Sequence, residues 1–337
     1  MDIHHRIENL PPLARGAVVA IGNFDGVHLG HRAVIAEARA KAAALKAPLG
    51  VMTFEPHPRA FFAPKTPPFR LTSLAAKARA LDALGVDHLY VVAFDRAFAA
   101  ISAHDFVAHV LARDLGAVCV AVGGDFKFGR GREGDVAFLK REAPAFGIAI
   151  AQVSPVASGG VAVSSRLIRE QLSLGNLDEA ARLLGRPWEL EGPVVHGDKL
   201  GRTLGYPTAN IDLGDQLRPR IGIYAVEALI EGEGSWRGGA ASLGTRPTVG
   251  GVDLRFEVHL LDFAGDLYGQ TLRVRPIKYL RPEIALDGLD ALTRKMKEDE
   301  AEARAVLKAR AAVDAGASIN NKSGNNKSDT SARPPGR

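Results

Sequence analysis

Cysteine is almost missing from this chain of 337 residues, which has a single one, Cys119. A lone cysteine excludes a disulfide within the chain and a cysteine-rich zinc site. It stands in the apolar run AVCVAV, which predicts a buried core position. Long apolar runs are also missing, since none approaches the roughly 18 residues of a membrane helix. The first residues contain no apolar core of a signal peptide. We therefore expect a cytoplasmic protein without membrane contact.

A strong excess of one charge is missing as well. The sequence has 43 basic and 38 acidic residues, a net charge of +5. This excess is compatible with small phosphate-bearing ligands and is too weak to indicate nucleic-acid binding. Hydrophobic residues make up 46% and charged residues 24%, as in globular proteins. The length predicts about two domains, and the sequence leaves weak self-association open.

Short apolar runs alternate with helical patterns through the first half of the chain. Continuous apolar strands of this kind are typical of a parallel sheet that is covered on both faces. The alternation predicts a doubly wound, Rossmann-like α/β domain over residues 1–185, with its ligand at the carboxyl ends of the strands. The predicted strands are AVVAIG (17–22), LGVMTF (49–54), HLYVVAF (88–94), AVCVAVG (117–123) and GIAIAQV (147–153).

The pattern changes at RPWELEGPVV, where glycines, prolines and alternating strands replace the strand–helix rhythm. This change predicts an all-β domain, a sandwich or a barrel, over residues 186–315. A charged helix from about residue 286 to 312 closes that domain. Residues 316–337 are polar and lack periodicity, so we expect a disordered tail.

The stretch GNFDGVHLGH (22–31) directly follows the first strand and leads into a helix that we expect to begin near Leu29. A helix N-terminus binds anions, and His28 and His31 are spaced to face the same side of its first turn. The two imidazoles can therefore donate hydrogen bonds to phosphate. A zinc site with Asp25 is the alternative, but no further ligand motif accompanies it. A glycine-rich turn explains one surface histidine better than two at helical spacing.

Three further segments of the first half have polar or glycine-rich character: TFEPHPR (53–59), GGDFKFGRGREGD (123–135) and VSSRLIRE (163–170). His57 and Pro58 form either a loop beside the ligand or a rigid turn, and both interpretations remain open. The glycines of the second segment do not directly follow a strand, so they are not a dinucleotide fingerprint. Ser164 and Ser165 can cap a helix, and Arg169 can bind phosphate bidentately.

In the second half, the most specific segment is GDKLGRTLGYPTANI (197–211), followed by the alternating VDLRFEVHLL and by YLRPE (279–283). With these segments in order over residues 15 to 305, the chain resembles the bacterial bifunctional riboflavin kinase/FAD synthetases. The resemblance implies a nucleotidyltransferase domain, then a six-stranded antiparallel Greek-key barrel with a C-terminal helix. It also implies phosphorylation of riboflavin to FMN by the barrel and adenylylation of FMN to FAD by the first domain. Riboflavin, FMN and ATP with Mg²⁺ are the expected partners, without nucleic acid or membrane.

The resemblance also assigns roles to individual residues. It implies that His28 and His31 are catalytic in the adenylyltransferase and that Glu257 is the catalytic base of the kinase. Its ATP and phosphate set in the first domain is Gly22, Asn23, Phe24, Asp25, His28, His31, Ser164, Ser165 and Arg169. The loops that border flavin or nucleotide contribute His57, Pro58, Asp125 and Phe128. The kinase set for ATP or flavin is Gly201, Arg202, Thr208, Asn210 and Arg281, of which Thr208 and Asn210 meet Mg²⁺.

Two alternatives remain at this point. Arg166 stands where the family pattern usually has threonine, which allows a riboflavin kinase whose adenylyltransferase domain is impaired. A basic nucleic-acid-binding protein with an OB-like barrel is the other. The segment GIYAVEALIEGEGSW disfavours it, because the segment is acidic where a strand surface should stack bases.

Overall fold

The computed structural model describes residues 1–197, 205–248, 251–285 and 287–324, without the side chains of 246–248, 251–253 and 314–324. The chain divides into two compact units. Unit 1 comprises Met1–Leu190 and Leu213–Pro219, and unit 2 comprises Glu191–Asp212 and the chain from Arg220 onwards. The expected boundary, between residues 185 and 186, lies close to the first of these divisions.

Unit 1 contains a six-stranded sheet in the order β1-β4-β3-β2-β5-β8, with every neighbouring pair parallel. All five predicted strands are present, and the edge strand β1 was not predicted. It has three residues, too few to display a pattern. The strands are β1 (Asp2–His4), β2 (Val18–Ile21), β3 (Leu49–Glu55), β4 (His88–Ala93), β5 (Cys119–Gly123) and β8 (Ala149–Val153).

Helices cover both faces of this sheet. Neighbouring residues of β2 enter different apolar clusters: Val19 and Ile21 join one, Val18 and Ala20 the other. Cys119 is free and buried in the second cluster, as predicted. The helices are α1 (Leu29–Leu45), α2 (Pro58–Phe62), α3 (Leu74–Asp82), α4 (Arg96–Ala99), α5 (Ala103–Asp105) continued by the π-helical Phe106–Asp114, α6 (Val136–Glu142), α7 (Ser165–Leu174) and α8 (Leu177–Leu184).

Short elements complete unit 1. Two small hairpins pair β6 (Lys127–Phe128) with β7 (Gly134–Asp135) and β9 (Ala157–Ser158) with β10 (Val161–Ala162). Single 3-10 turns lie at Pro12–Ala14, Arg130–Arg132 and Ala143–Phe146.

Unit 2 is a closed barrel in the order β11-β12-β15-β14-β13-β16. Its neighbours are antiparallel, and the non-consecutive pairs β12–β15 and β13–β16 are of the Greek-key kind. The strands are β11 (Leu190–Val195), β12 (Ala209–Ile211), β13 (Gly222–Ile230), β14 (Arg237–Thr248), β15 (Gly251–Leu260) and β16 (Thr271–Arg281). Alternation along β15 buries Phe256, Val258 and Leu260 in the barrel, as the sequence pattern indicates.

The C-terminal helix α9 (Gly288–Gly324) is longer than predicted. The expected end was near residue 312, and residues 316–324, expected in the disordered tail, are helical. A polar segment without an apolar stripe gives no amphipathic signal, so its helicity was not visible in the pattern. Residues 325–337 of the predicted tail lie outside the described residues.

Candidate active sites

In unit 1, the two histidines of the GNFDGVHLGH loop cap the start of α1 for each other. The His28 Nδ1 accepts a hydrogen bond from the His31 backbone N–H at 3.3 Å, and the His31 Nδ1 accepts one from the His28 N–H at 3.3 Å. The rings stack with centroids 3.6 Å apart. Because each Nδ1 is an acceptor, the proton of each neutral ring is on Nε2, where it can be donated to a ligand.

Both rings are neutral at physiological pH. Burial lowers the pKa of His28 to about 4. Burial, and then the neighbouring His28, lower the pKa of His31 well below its usual value. The pair therefore presents two N–H donors without two positive charges, an arrangement that can bind an anion by hydrogen bonding.

The backbone of this loop takes a form that few side chains allow. Phe24 and Val27 have positive φ angles of 47° and 44°, and the φ of Gly26 is 90°. A Cβ at Gly26 would meet the Leu71 side chain at 2.9 Å, so this position requires glycine. Left-handed conformations at non-glycine residues cost about 1–3 kcal/mol and persist only where surrounding contacts impose them.

Asp25 supplies those contacts. Its carboxylate is buried, and Oδ1 accepts hydrogen bonds from the backbone N–H groups of Leu71 at 2.8 Å and Thr72 at 3.2 Å. Oδ2 accepts from Arg169 Nη2 at 2.6 Å, and the Ser165 hydroxyl donates to the Asp25 carbonyl at 2.9 Å. The resemblance gave Asp25, Arg169 and Ser165 contacts to ATP. In the structure these three side chains hold the loop.

A buried charged network below the loop was missed by the sequence analysis. Lys77 in α3 is 1% exposed, and its Nζ donates to the Thr53 hydroxyl at 3.0 Å and lies 3.4 Å from Glu55 Oε1. Thr53 in turn donates to the Asn23 carbonyl at 3.1 Å, and Arg70 donates twice to Glu55 at 2.6 Å. A charge within a helix usually faces solvent, so no sequence signal could have identified Lys77 as buried.

His57 and Pro58 form the N-terminus of α2. The His57 Nδ1 accepts a hydrogen bond from the Arg59 N–H at 3.1 Å, and Pro58 occupies the first helical position. Burial lowers the pKa of His57 to about 4, and its ring meets Phe69 edge-on at 5.1 Å. The segment therefore starts a helix at the carboxyl end of β3.

The loop after β5 contains two residues predicted to border the ligand, Asp125 and Phe128, and their environments differ. Asp125 is exposed at the carboxyl end of that strand. Phe128 is instead 7% exposed and packs in the core with Phe106 and Phe138, at ring separations of 5.0 and 5.9 Å. Of the two, Asp125 is placed where a ligand can reach it.

Ser164 caps α7, as the sequence predicts. Its hydroxyl accepts a hydrogen bond from the Leu167 N–H at 3.2 Å. Arg166, the departure from the family pattern, is exposed in the first turn of α7.

In unit 2, three of the predicted kinase residues lie together across neighbouring strands. Asn210 in β12 is directly opposite Glu257 in β15, and the Thr208 hydroxyl donates to Glu257 Oε2 at 3.3 Å. On the other side, Ser242 of β14 is paired with Glu257 in register. Hydroxyl, amide and carboxylate oxygens are the donors that Mg²⁺ prefers, so this set fits the metal that the resemblance implies. Gly201 and Arg202 lie outside the described residues.

Arg281 is engaged within the fold. Its Nε and Nη2 donate to the two carboxylate oxygens of Asp299 at 2.7 and 2.5 Å, and Nη1 donates to the Pro282 carbonyl at 2.9 Å. Asp299 is buried, so this pair fastens α9 to β16.

None of the helices in the described part of the chain combines the length and apolar character that a membrane crossing needs.

Comparison with known proteins gives consistent results for both units. Residues 10–167 match the family model described as FAD synthetase, and residues 184–307 match the one described as riboflavin kinase. A bifunctional riboflavin kinase/FMN adenylyltransferase of Escherichia coli K12 is 44% identical over 300 residues, 89% of this chain and 95% of the relative. One from Pseudomonas fluorescens is 43% identical, over 91% of this chain and 98% of the relative.

Among solved structures, a Streptococcus pneumoniae protein described as a macrolide-efflux protein has a similar fold. It is 32% identical with a TM-score of 0.79, and the match covers 90% of this chain and 98% of that protein. Matches to both family models favour two activities over a kinase with an impaired first domain. The chain belongs to the bifunctional riboflavin kinase/FMN adenylyltransferase family, which phosphorylates riboflavin to FMN and adenylylates FMN to FAD.

Proposed function

We propose that Glu257 is the catalytic base of riboflavin phosphorylation in unit 2, and that His28 and His31 bind the ATP phosphates during FMN adenylylation in unit 1. The observation that carries the proposal is the mutual cap of the two histidines, which puts the ring proton of each on Nε2 as a donor. In unit 2, the support comes from the cluster of Thr208, Asn210 and Glu257.

In the adenylyltransferase step, the FMN phosphate attacks the α-phosphorus of ATP, and pyrophosphate leaves. Negative charge increases on the leaving pyrophosphate as the bond to the α-phosphorus breaks. The Nε2–H groups of His28 and His31, together with the N-terminal amides of α1, donate hydrogen bonds to that charge. Because both rings are already held by the backbone, no reorganisation is needed during the reaction.

In the kinase step, the Glu257 carboxylate accepts the proton of the ribityl 5′-hydroxyl as that oxygen attacks the γ-phosphate of ATP. A positioned general base contributes about 10²- to 10⁴-fold in rate. The Thr208 hydroxyl donates to the Glu257 carboxylate and so keeps it oriented. Thr208 and Asn210 are the residues that would hold Mg²⁺, which would neutralise phosphate charge there.

The remaining residues border these sites in the proposal. His57, Pro58 and Asp125 contact flavin or nucleotide from the carboxyl ends of β3 and β5. Gly22, Asn23, Phe24 and Ser164 shape the ATP site through their backbone. Gly201 and Arg202 cover the kinase phosphates, as the resemblance implies. Since both reactions consume ATP, we place the protein in the cytoplasm.

A time course with riboflavin and MgATP tests these assignments, with riboflavin, FMN and FAD separated by chromatography. We expect FMN to appear first and FAD later. Glu257→Gln should slow FMN formation about 10²- to 10⁴-fold, whereas His28→Ala/His31→Ala should stop FAD formation and leave FMN formation intact. Glu231→Gln, a change at an exposed glutamate after β13, is the matched control and should change neither FMN formation nor FAD formation.

Normal FMN formation by Glu257→Gln would refute the base. Normal FAD formation by the double histidine variant would refute the phosphate contact. A wild-type protein that forms no flavin product would contradict both assignments together.

A further inference from the structure

Three metal-ligating side chains meet at the amino end of the unit 1 sheet. The edge strand β1 pairs in parallel with β4, and this register sets Asp2 opposite His88 and His4 opposite Tyr90. His88 is the first residue of β4, so the group lies at the amino ends of the strands. The histidine loop follows β2 at the carboxyl end. The two sets of residues therefore lie at opposite ends of the strands of one parallel sheet.

The donor atoms of this group converge on one point. The His4 Nε2 and His88 Nδ1 atoms are 3.3 Å apart, and the same His88 Nδ1 is 3.7 Å from Asp2 Oδ2. All three donor atoms lie within 4.8 Å of one another. Two nitrogens bound at ~2.0–2.1 Å to a tetrahedral zinc ion are separated by about 3.3–3.4 Å. The two imidazole nitrogens already have that separation.

Packing fixes the two rings in this arrangement. The His4 ring stacks on Tyr90 with centroids 5.5 Å apart and planes inclined by 23°. The Tyr90 hydroxyl donates to the Ala14 carbonyl at 2.7 Å, so the platform below His4 is itself held. His88 is 7% exposed, whereas the Asp2 side chain is 77% exposed. The group is rigid on its protein side and open to solvent at the carboxylate.

We propose that Asp2, His4 and His88 form a stabilising binding site for a zinc ion, with water as the fourth ligand. Two imidazole nitrogens and one carboxylate oxygen match the ligand preferences of Zn²⁺, which Co²⁺ can replace as a spectroscopic probe. The ion would join β1 to β4 through side chains, in addition to a backbone pairing of three residues. Since the folded chain alone presents these ligands together, zinc binding stabilises unit 1.

The test uses the full chain without a histidine tag, freed of metal by a chelator. Zn²⁺ is titrated by calorimetry, Co²⁺ by the visible absorption of tetrahedral cobalt, and the melting temperature is recorded with and without Zn²⁺. We expect one zinc ion per chain at this site and a higher melting temperature with zinc. Asp2→Asn and His4→Gln should each weaken that binding at least about 10-fold and abolish the zinc-dependent stabilisation.

His109→Gln is the matched control, because His109 is exposed and faces a single carboxylate, Asp105, at 4.0 Å. It should leave the zinc affinity and stabilisation unchanged. Asp2 is exposed, so Asp2→Asn tests the site without disturbing the core. Zinc binding elsewhere, for example at His28 and His31, would persist in Asp2→Asn.

Two results would overturn the proposal. One is a wild-type chain that binds no zinc and shows no cobalt absorption, in which case the 3.3 Å contact is a hydrogen bond between histidines. The other is a zinc affinity that Asp2→Asn and His4→Gln leave unchanged.

Discussion

Each imidazole of the His28–His31 pair uses one nitrogen for the protein and leaves the other for a ligand. The backbone N–H groups at the start of α1 need acceptors, and the two Nδ1 atoms provide them. The same hydrogen bonds fix the tautomer that donates from Nε2. The helix cap and the proposed anion site are therefore one arrangement here, and a substitution should affect both.

A substitution at His31 should have a small effect on folding stability and a large effect on FAD formation. His31→Ala removes one cap hydrogen bond, worth about 1 kcal/mol of folding free energy, and one phosphate donor, worth about 10²- to 10³-fold in FAD formation. The control is Ser73→Ala, which removes a cap of α3 that accepts from Ala76 at 2.9 Å. Urea unfolding should show similar losses of stability in His31→Ala and Ser73→Ala. FAD assays should show a loss of activity in His31→Ala alone. Equal FAD rates in the two variants would contradict the phosphate contact.

Buried neutral histidines also predict a pH dependence of stability. The pKa of His28 is lowered from 6.5 to about 4. The unfolded chain takes up a proton as the pH falls through 6.5, whereas folded His28 does not until near pH 4. The contribution of neutral His28 to the unfolding free energy is therefore fully present above pH 6.5, the pKa in the unfolded chain, and declines as the pH falls from 6.5 to about 4. For His28 alone the loss reaches about 3 kcal/mol at the acid end. His57, whose pKa is also about 4, adds to the decline.

Urea unfolding across this pH range measures the decline. His28→Gln cannot take up the proton, so its unfolding free energy should depend less steeply on pH than that of the wild type. A wild-type unfolding free energy that stays constant down to pH 4 would contradict burial of these neutral rings.

At the scale of elements, one carboxylate joins strand β3 to helix α3. Glu55 accepts two hydrogen bonds from Arg70 and lies beside Lys77, both nearly buried. Glu55→Gln removes the carboxylate beside Lys77 and leaves Arg70 with its longer contact to Asp215 at 3.4 Å, and it should destabilise unit 1 by about 3–5 kcal/mol in urea unfolding. The double variant Glu55→Gln/Lys77→Met removes one of those cations and should recover part of the loss.

The matched control for Glu55 is an exposed ion pair in α1. Glu37 and Lys41 lie 3.7 Å apart with exposed side chains, so Glu37→Gln should change the unfolding free energy by less than about 0.5 kcal/mol. If Glu55→Gln changed the unfolding free energy as little as Glu37→Gln, the network below the histidine loop would contribute little to stability.

Ion pairs join α9 to the barrel, Arg310–Glu227 at 3.3 Å among them, and burial should rank two others. Arg281–Asp299 has side-chain exposures of 17% and 8%, whereas Arg304–Asp262 has 43% and 76%. Asp299→Asn should cost about 2–3 kcal/mol and expose α9 amides to hydrogen exchange, while Asp262→Asn should cost at most about 1 kcal/mol. Equal effects of the two substitutions would contradict a tethering role for Asp299.

At the scale of the whole molecule, the two activities are carried by separate compact units. The FMN made by unit 2 is the substrate of unit 1, so loss of the kinase deprives the adenylyltransferase of substrate without damaging it. Glu257→Gln should therefore make little FAD from riboflavin and a normal amount from added FMN. The matched His28→Ala/His31→Ala variant should make none from either. Chromatography of both reactions measures this, and failure of added FMN to restore FAD would show that Glu257 also affects unit 1.

Local patterns determined much of the architecture. The five apolar runs of unit 1 became neighbouring parallel strands. Four of them are buried along nearly their whole length, and a run that is buried on both faces must be apolar throughout. The edge strand β8 is only partly buried. The cap of α7 was equally predictable, because the Ser164 hydroxyl accepts a hydrogen bond from the amide three residues away. The alternation of β15 correctly predicted that Phe256, Val258 and Leu260 are buried, whereas Leu254, on the same face of the pattern, is 36% exposed. The start of α1 at Leu29 was predicted from the loop before it.

Pairings between distant residues were decided by the tertiary structure alone. Arg169 meets Asp25 across 144 residues, and Arg281 meets Asp299 of the C-terminal helix. Lys77 is buried because Glu55 and Thr53 happen to face it from β3. The strand Asp2–His4 forms because its backbone pairs in parallel with β4. A sequence determines which elements can form, since their hydrogen bonds are local. The partner of a buried charge depends on which elements pack together, and only the folded chain establishes that.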